Sequence, residues 1–396
     1  MESAFTFEYD PAEVRFGRDR VSDLSELLAG YGCDRALVVC GRNVGANGAL
    51  MDPIERGLGA RLAGVFDETT PRKSIETAFE GRERMAELDV DALIGVGGGS
   101  SLDLATAMNS LSATGYTSRE VREQVAETGH VGRPDADELV TLVQIPTTFA
   151  GADLSSGGSV TVPRSDGDSV GAGVGADALM PEAVIYDPKL FETTPRSVLA
   201  SSAMNGFDKG IEAVYSRNRT PITDATAVRG LRMLTEALPR LDEDADPETM
   251  DRAVVGTVLV QYGISIRSAL KISVIHGYGH ALRHRFGIQQ GTAHAVLAPH
   301  VVEDLLDRGL GRADLLADAF GVEANGGERK AGIVAEIERV RDRLGLPARL
   351  RDVEGIERSG LGEAARLTVE DPILENGPEG YDPTAEEVER LLENAW

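Results

Sequence analysis

Cysteine, tryptophan and lysine are scarce in this chain of 396 residues, which has two, one and five of them. Cys33 and Cys40 lie close together in sequence and frame no disulfide scaffold, so a reduced compartment is expected. No apolar run approaches the roughly 20 residues that cross a bilayer. The opening stretch MESAFTFEYDPAEVRFG is acidic and has no apolar core of the signal-peptide kind. A cytoplasmic protein with no membrane partner is the expectation. The shortage of lysine accompanies an excess of acid. There are 65 acidic and 40 basic residues, for a net charge of −25. Such a surface repels nucleic acid and anionic lipid. It suits a salt-adapted, halophilic protein, kept soluble by hydrated carboxylates where salt screens their repulsion. Each of Lys73, Lys189, Lys209, Lys271 and Lys330 therefore invites a question about its purpose.

The 42% hydrophobic content is that of a globular protein, and the length favours two domains. Short apolar runs alternate with helical stretches in the first half. Strands are predicted at Arg35–Cys40, Asp91–Val96, Leu139–Ile145 and Ala183–Tyr186, with a helix over Ser74–Leu88. This alternation implies a Rossmann-like α/β domain over residues 1–188. Helical periodicity dominates after Pro188, at 192–216, 222–238, 247–286, 291–307, 329–343 and 384–394. Residues 189–396 thus read as an α-helical domain. Thr194-Pro195 looks like a helix start with proline at the first helical position. Thr384 to Glu387 has capping-box spacing. The Gly/Ser/Asp-rich segment 157–177 reads as a loop or hairpin.

The densest signal is IGVGGGSSLDLATAMN at 94–109. A buried strand breaks at Gly97, Gly98, Gly99 and Ser100 and resumes as a helix. A glycine turn at a helix N-terminus offers backbone N–H groups and partial positive charge to a pyrophosphate.

Four segments in order carry a family resemblance: Gly97–Ser100 with Asp103; Pro146-Thr147-Thr148; Asp187-Pro188 with Met204-Asn205 and Ile211–Ala213; and His276–His280 running to Pro299-His300. Together they resemble the iron-containing alcohol dehydrogenase superfamily, most closely its maleylacetate reductase branch. The resemblance implies a dinucleotide-binding domain, a helical catalytic domain, an active-site cleft between them, and hydride transfer between a nicotinamide and a carbonyl or alcohol. It also implies cofactor contacts at Gly97, Gly98, Gly99, Ser100, Asp103, Thr147 and Thr148.

The departures from that pattern matter more than the matches. The superfamily's metal ligands are one Asp and three His, and these positions fall on Asn205, Lys209, His276 and Gln290. Amide oxygens are poor ligands for iron or zinc, and an ammonium is none. No metal is expected, and Lys209 carries positive charge where the metal would stand. A register slipped by one turn would instead offer Asp208 and Glu212 as ligands. The family lysine three residues after Asp103 is replaced by Thr106.

Lys209 is the candidate electrophile for the developing alkoxide, aided by Asn205 and Gln290. His280 is the candidate proton donor, and His276 would orient Lys209 or bind substrate. His294 is held in reserve. Where NAD-preferring relatives carry an acid, Gly41 and Arg42 stand at the end of the second strand. That favours NADP, with NAD also usable. The expectation is a homodimeric, metal-independent NAD(P)H-dependent oxidoreductase acting on a small-molecule carbonyl or alcohol, oxo acids included. Alternatives are a metal-dependent dehydrogenase with rearranged ligands, a lyase of the dehydroquinate synthase type, and a cofactor-binding pseudoenzyme.

Overall fold

In the computed structural model, residues 5, 7, 12–164, 169–241, 245–265 and 271–396 are described. Asp10–Thr194 form one compact unit, and Pro195–Trp396 with Met1–Tyr9 form another. The division falls between Thr194 and Pro195, just after the Pro188 boundary taken from sequence.

Among its described residues the first unit has eight strands: β1 (Glu13–Phe16), β2 (Ala36–Gly41), β3 (Leu62–Thr69), β4 (Ala92–Gly97), β5 (Thr141–Pro146), β6 (Gly157–Pro163), β7 (Ser169–Gly175) and β8 (Ala183–Tyr186). Six of them make a parallel sheet in the order β1-β8-β5-β4-β2-β3. β6 and β7 form a separate antiparallel hairpin. The sheet is flanked by α1 (Leu24–Gly30), α2 (Arg42–Gly45), α3 (Gly48–Leu58), α4 (Ile75–Leu88), α5 (Gly99–Thr114) and α6 (Ser118–Thr128), and α7 (Pro188–Phe191) follows β8. This is the Rossmann-like domain expected from the alternation of apolar and helical segments.

Alternation along the central strands builds a core on each face of the sheet. Leu37, Val39 and Leu93 pack with Leu104 and Met108 of α5 on one side. Val38, Cys40, Ile94 and Val96 pack with Ile54 and Leu58 of α3 on the other. Both cysteines are free thiols, and burial pushes Cys40 up to about 12.

The second unit is helical: α8 (Arg196–Tyr215), α9 (Pro221–Ala237), α10 (Pro247–Ile264), α11 (Val274–Phe286), α12 (Gln290–Asp307), α13 (Ala313–Phe320), α14 (Gly326–Arg343), α15 (Leu361–Glu370) and α16 (Ala385–Asn394). The periodic stretch 247–286 is two helices, and part of the interval between them, 266–270, lies outside the described residues. Pro195 is the residue before α8 rather than its first. Thr384 and Glu387 make the reciprocal capping box read from their spacing. Among the described residues, no helix is long and apolar enough to cross a membrane.

Candidate active site

Each unit carries one constellation of the candidate residues. In the first unit the glycine turn closes β4 and opens α5. Gly97 adopts φ 127°, which L side chains rarely reach. Gly98 is the N-cap of α5, is extended, and offers no side-chain cap. Ser101 N–H bonds to Gly98 O at 2.9 Å, which tightens the turn. The chain after β5 is laced to it, with Thr147 N–H donating to Gly97 O at 2.9 Å. A methyl group on Gly98 would press on Thr148 at 3.3 Å. Thr147 and Thr148 therefore wall one side of a turn whose helix N-terminus carries no side-chain cap. The arrangement fits a bound pyrophosphate: backbone donors, helix dipole and no side chain in the way.

Gly41 ends β2 as the N-cap of α2. The side chain of Arg42 is 76% exposed, and its Nη2 lies 2.6 Å from Glu68 Oε2 at the end of β3. Arg42 thus has an acidic partner that the sequence reading did not anticipate.

Asp103 turns to the hairpin. Its Oδ2 accepts from Lys73 Nζ at 2.7 Å and from Ser159 N–H at 3.2 Å. Gly158 permits this approach, since a Cβ there would stand 2.8 Å from the carboxylate. Lys73 is buried and has φ 51°. Its carbonyl accepts from Thr161 N–H at 2.8 Å, so backbone and side chain both clasp β6. Asp103 thereby ties α5 to the hairpin. Thr106 is buried, donates to Leu102 O at 3.1 Å and receives Gln144 Nε2 at 3.3 Å.

In the second unit, helical spacing puts Asn205, Asp208, Lys209 and Glu212 on one stripe of α8. α11 supplies His276 and His280, while Gln290 begins α12 and His294 follows one turn later. His276 is gripped from two sides. Glu212 Oε1 accepts its backbone N–H at 3.1 Å, Glu212 Oε2 lies 2.5 Å from Nδ1, and Nε2 meets Asn205 Oδ1 at 3.1 Å. Burial, then the charges of Lys209 and His280, hold the His276 imidazole well below its usual range, so it is neutral. Burial also raises Glu212 to about 7. Both ring nitrogens of His276 are thereby engaged, Nδ1 by Glu212 and Nε2 by Asn205.

Behind this pair lie Asp208 and His294, both fully buried, with Nδ1 and Oδ2 3.3 Å apart. Among the described residues neither side chain has a hydrogen-bond partner. Burial raises Asp208 and lowers His294, so both are neutral. The His276 and His294 rings meet edge to face at 4.5 Å. Gly279 is required here, because a Cβ would collide with His294 Nε2. Gly291 is required likewise, because a Cβ would collide with Ser201 O where α12 crosses α8.

His280 is different. Its side chain is 40% exposed, and Nδ1 lies 2.9 Å from Asp371 Oδ2. That bond places a proton on Nδ1 and leaves Nε2 as the other ring nitrogen. Arg283 and His284 are exposed, and Arg285 pairs with Glu363.

Lysine placement answers the question raised by its scarcity. Lys73 clasps the hairpin, and Lys189 and Lys330 pair with surface acids. Lys271 is buried, which draws its ammonium down to about 8. Lys209 is half-buried on the Asn205 stripe.

The metal-ligand positions hold an amide, an ammonium, an imidazole and an amide, and the imidazole is already bonded on both nitrogens. Glu212 and Asp208, the slipped-register donors, are engaged with His276 or sealed at 0% exposure. Among the described residues, no group of three His, Cys, Asp or Glu is placed to hold a metal ion. This donor set does not fit iron or zinc.

Sequence reasoning missed Glu68 and Asp371, singled out Lys73 only for its rarity, and named Glu212 only within the Ile211–Ala213 motif and as a slipped-register ligand. Glu212 had a signal, lying on the stripe of Asn205 and Lys209. Asp371 had none, being 91 residues from His280.

Comparison with known proteins covers both units. Residues 11–188 match the model for iron-containing alcohol dehydrogenase, and 199–396 match that for the C-terminal part of the Fe-containing alcohol dehydrogenase family. A maleylacetate reductase of Burkholderia cepacia is 28% identical over 396 residues, spanning 100% of this chain and 98% of the relative. The crystal structure of maleylacetate reductase from Agrobacterium tumefaciens superposes with TM-score 0.78 at 24% identity, covering 100% of this chain and 98% of that one. Sulfoacetaldehyde reductase from Bifidobacterium kashiwanohense, solved with NAD+, gives TM-score 0.85 at 19% identity and covers 99% of each chain.

Proposed function

The chain belongs to the iron-containing alcohol dehydrogenase family, and on that premise we propose a nicotinamide-dependent reductase of small oxo compounds in which Lys209 replaces the metal. The observation that carries this reading is the locked triad of Glu212, His276 and Asn205. It engages two of the four ligand positions, Asn205 and His276, in hydrogen bonds. Lys209 stands on the same helix stripe with a positive charge that His276 feels. The likeness to maleylacetate reductase supports an oxo acid as substrate class.

Gly97–Ser100 and the start of α5 would hold the pyrophosphate of the cofactor, flanked by Thr147 and Thr148. The bound nicotinamide supplies the hydride. As negative charge gathers on the substrate oxygen, Lys209 donates to it, and Asn205 and Gln290 add amide donors. His280 delivers the proton from Nε2, and Asp371 stabilises the imidazolium through Nδ1–H. His276 stays neutral, because burial denies it a charge. Its task is to hold Asn205.

The test is turnover of oxo acids and ketones with NADH or NADPH at high salt, with elemental analysis before and after chelator dialysis. Turnover is expected to survive without stoichiometric metal. Lys209→Met should lose on the order of a hundredfold in kcat, while nucleotide Kd is unchanged. Iron or zinc whose removal abolishes turnover, or a fully active Lys209→Met protein, would overturn the proposal.

A further inference from the structure

The first unit brings three strand ends together around the glycine turn. β2 lies beside β4 in the sheet, and β3 lies beside β2. Val44 of α2 reaches the turn itself, standing 3.6 Å from where a Cβ on Gly97 would be. Thr69 at the end of β3 bonds through Oγ1 to Ser101 Oγ at 2.8 Å, in the first turn of α5. Gly41 is registered against both Glu68 and Thr69, because the β2–β3 ladder is irregular at this end. Glu68 is therefore fixed beside the end of β2, two strands outward from β4 and its pyrophosphate cradle. Its carboxylate is half exposed at 49% and meets Arg42 at 2.6 Å.

A dinucleotide lying on a turn of this kind runs its adenosine half along the carboxyl ends of the strands. An acid near the end of the second strand takes the ribose hydroxyls, and an arginine takes a 2′-phosphate. Here β2 ends in glycine. A side chain at position 41 would press on Thr69 O at 3.3 Å. The acid comes instead from the neighbouring strand, and it is already paired with the arginine.

We propose that Glu68 sets the nucleotide preference of this protein, on the reading that the cradle binds a nicotinamide dinucleotide. Its carboxylate accepts from the adenosine ribose hydroxyls of NADH. By neutralising Arg42 and repelling a 2′-phosphate, it restrains the affinity for NADPH. Arg42 alone would favour NADPH, and the pair moderates that preference. The ion pair is exposed and weakly held, so either nucleotide can open it.

The experiment measures Kd for NADH and NADPH by nucleotide fluorescence, at one fixed salt concentration, for wild type, Glu68→Gln and Arg42→Ala. Removing a carboxylate within a few ångström of a phosphate should tighten NADPH about tenfold. Glu68→Gln should leave NADH equal or weaker. Arg42→Ala should weaken NADPH severalfold and spare NADH. A wild type that binds neither nucleotide overturns this proposal together with the function proposed above. If wild type binds nucleotide but Glu68→Gln leaves the NADPH-to-NADH ratio within twofold, the role of Glu68 alone is refuted.

Discussion

Two lysines of this protein make nearly identical ion pairs and should differ several-fold in what their loss costs. Lys73 lies 2.7 Å from Asp103, with side-chain exposures of 11% and 12%. Lys189 lies 2.6 Å from Asp19, with exposures of 49% and 68%. Removing one partner of a buried pair leaves an unpaired charge and costs about 3–5 kcal/mol. Asp103 would keep the N–H and Oγ of Ser159, which places Lys73→Met near the lower limit, about 3 kcal/mol. Lys189→Met should cost about 0.5 kcal/mol or less, because water already solvates both groups. Urea unfolding of both variants at one high salt concentration reads the difference directly. Salt screens the exposed pair but barely reaches the buried one, so the gap should widen with ionic strength. Amide exchange should also accelerate in β6 and β7 of Lys73→Met. Equal losses in the two variants would refute the argument that burial decides the worth of these pairs.

Two further outcomes follow from the second unit. Gly291→Ala places a methyl group on Ser201 O and must push α12 off α8. It should cost about 3 kcal/mol in thermal or urea unfolding and lower turnover by displacing Gln290. Glu212 has a folded pKa of about 7 against 4.5 unfolded, so the native state holds the extra proton between those values. Its contribution to stability is therefore lost as pH rises from 4.5 to 7, by about 3 kcal/mol in all. His276 and His294 act oppositely, since their lowered pKa values cost stability as pH falls below 6.5. Glu212→Gln removes the first effect alone. Its stability should rise relative to wild type across pH 4.5–7 in urea titrations, and a constant difference would disprove the assignment.

Legibility in the sequence followed burial. β2, β4, β5 and β8 lie inside the sheet, buried on both faces, and show as apolar runs, interrupted in β5 by Gln144. β1 and β3 are its edges, partly exposed, and their mixed sequences EVRF and LAGVFDET carry no such signal. α10 and α11 merged into one periodic stretch because the apolar pattern continues up to each helix end. Local spacing sufficed for His276 and His280, and for Asn205 with Lys209, since one helix turn relates each pair. Partnerships across the chain had no sequence signal: Lys73 with Asp103, Arg42 with Glu68, and His280 with Asp371. Opposite charges attract over any separation in sequence, and only the fold selects which ones meet.

The start of α5, like those of α8, α11, α12, α14 and α15, carries no side-chain cap. α4, α6, α9, α10 and α16 begin on a serine, threonine or aspartate whose oxygen accepts a backbone N–H. α5 begins on Gly98 with no such oxygen. A missing cap of this kind is worth about 1 kcal/mol. On the proposed function, a nucleotide pyrophosphate does the capping, and its binding stabilises the folded unit by mass action. The lifetime of the α/β unit in the cell would then rise and fall with the nicotinamide pool, making the enzyme's abundance responsive to the cofactor it consumes.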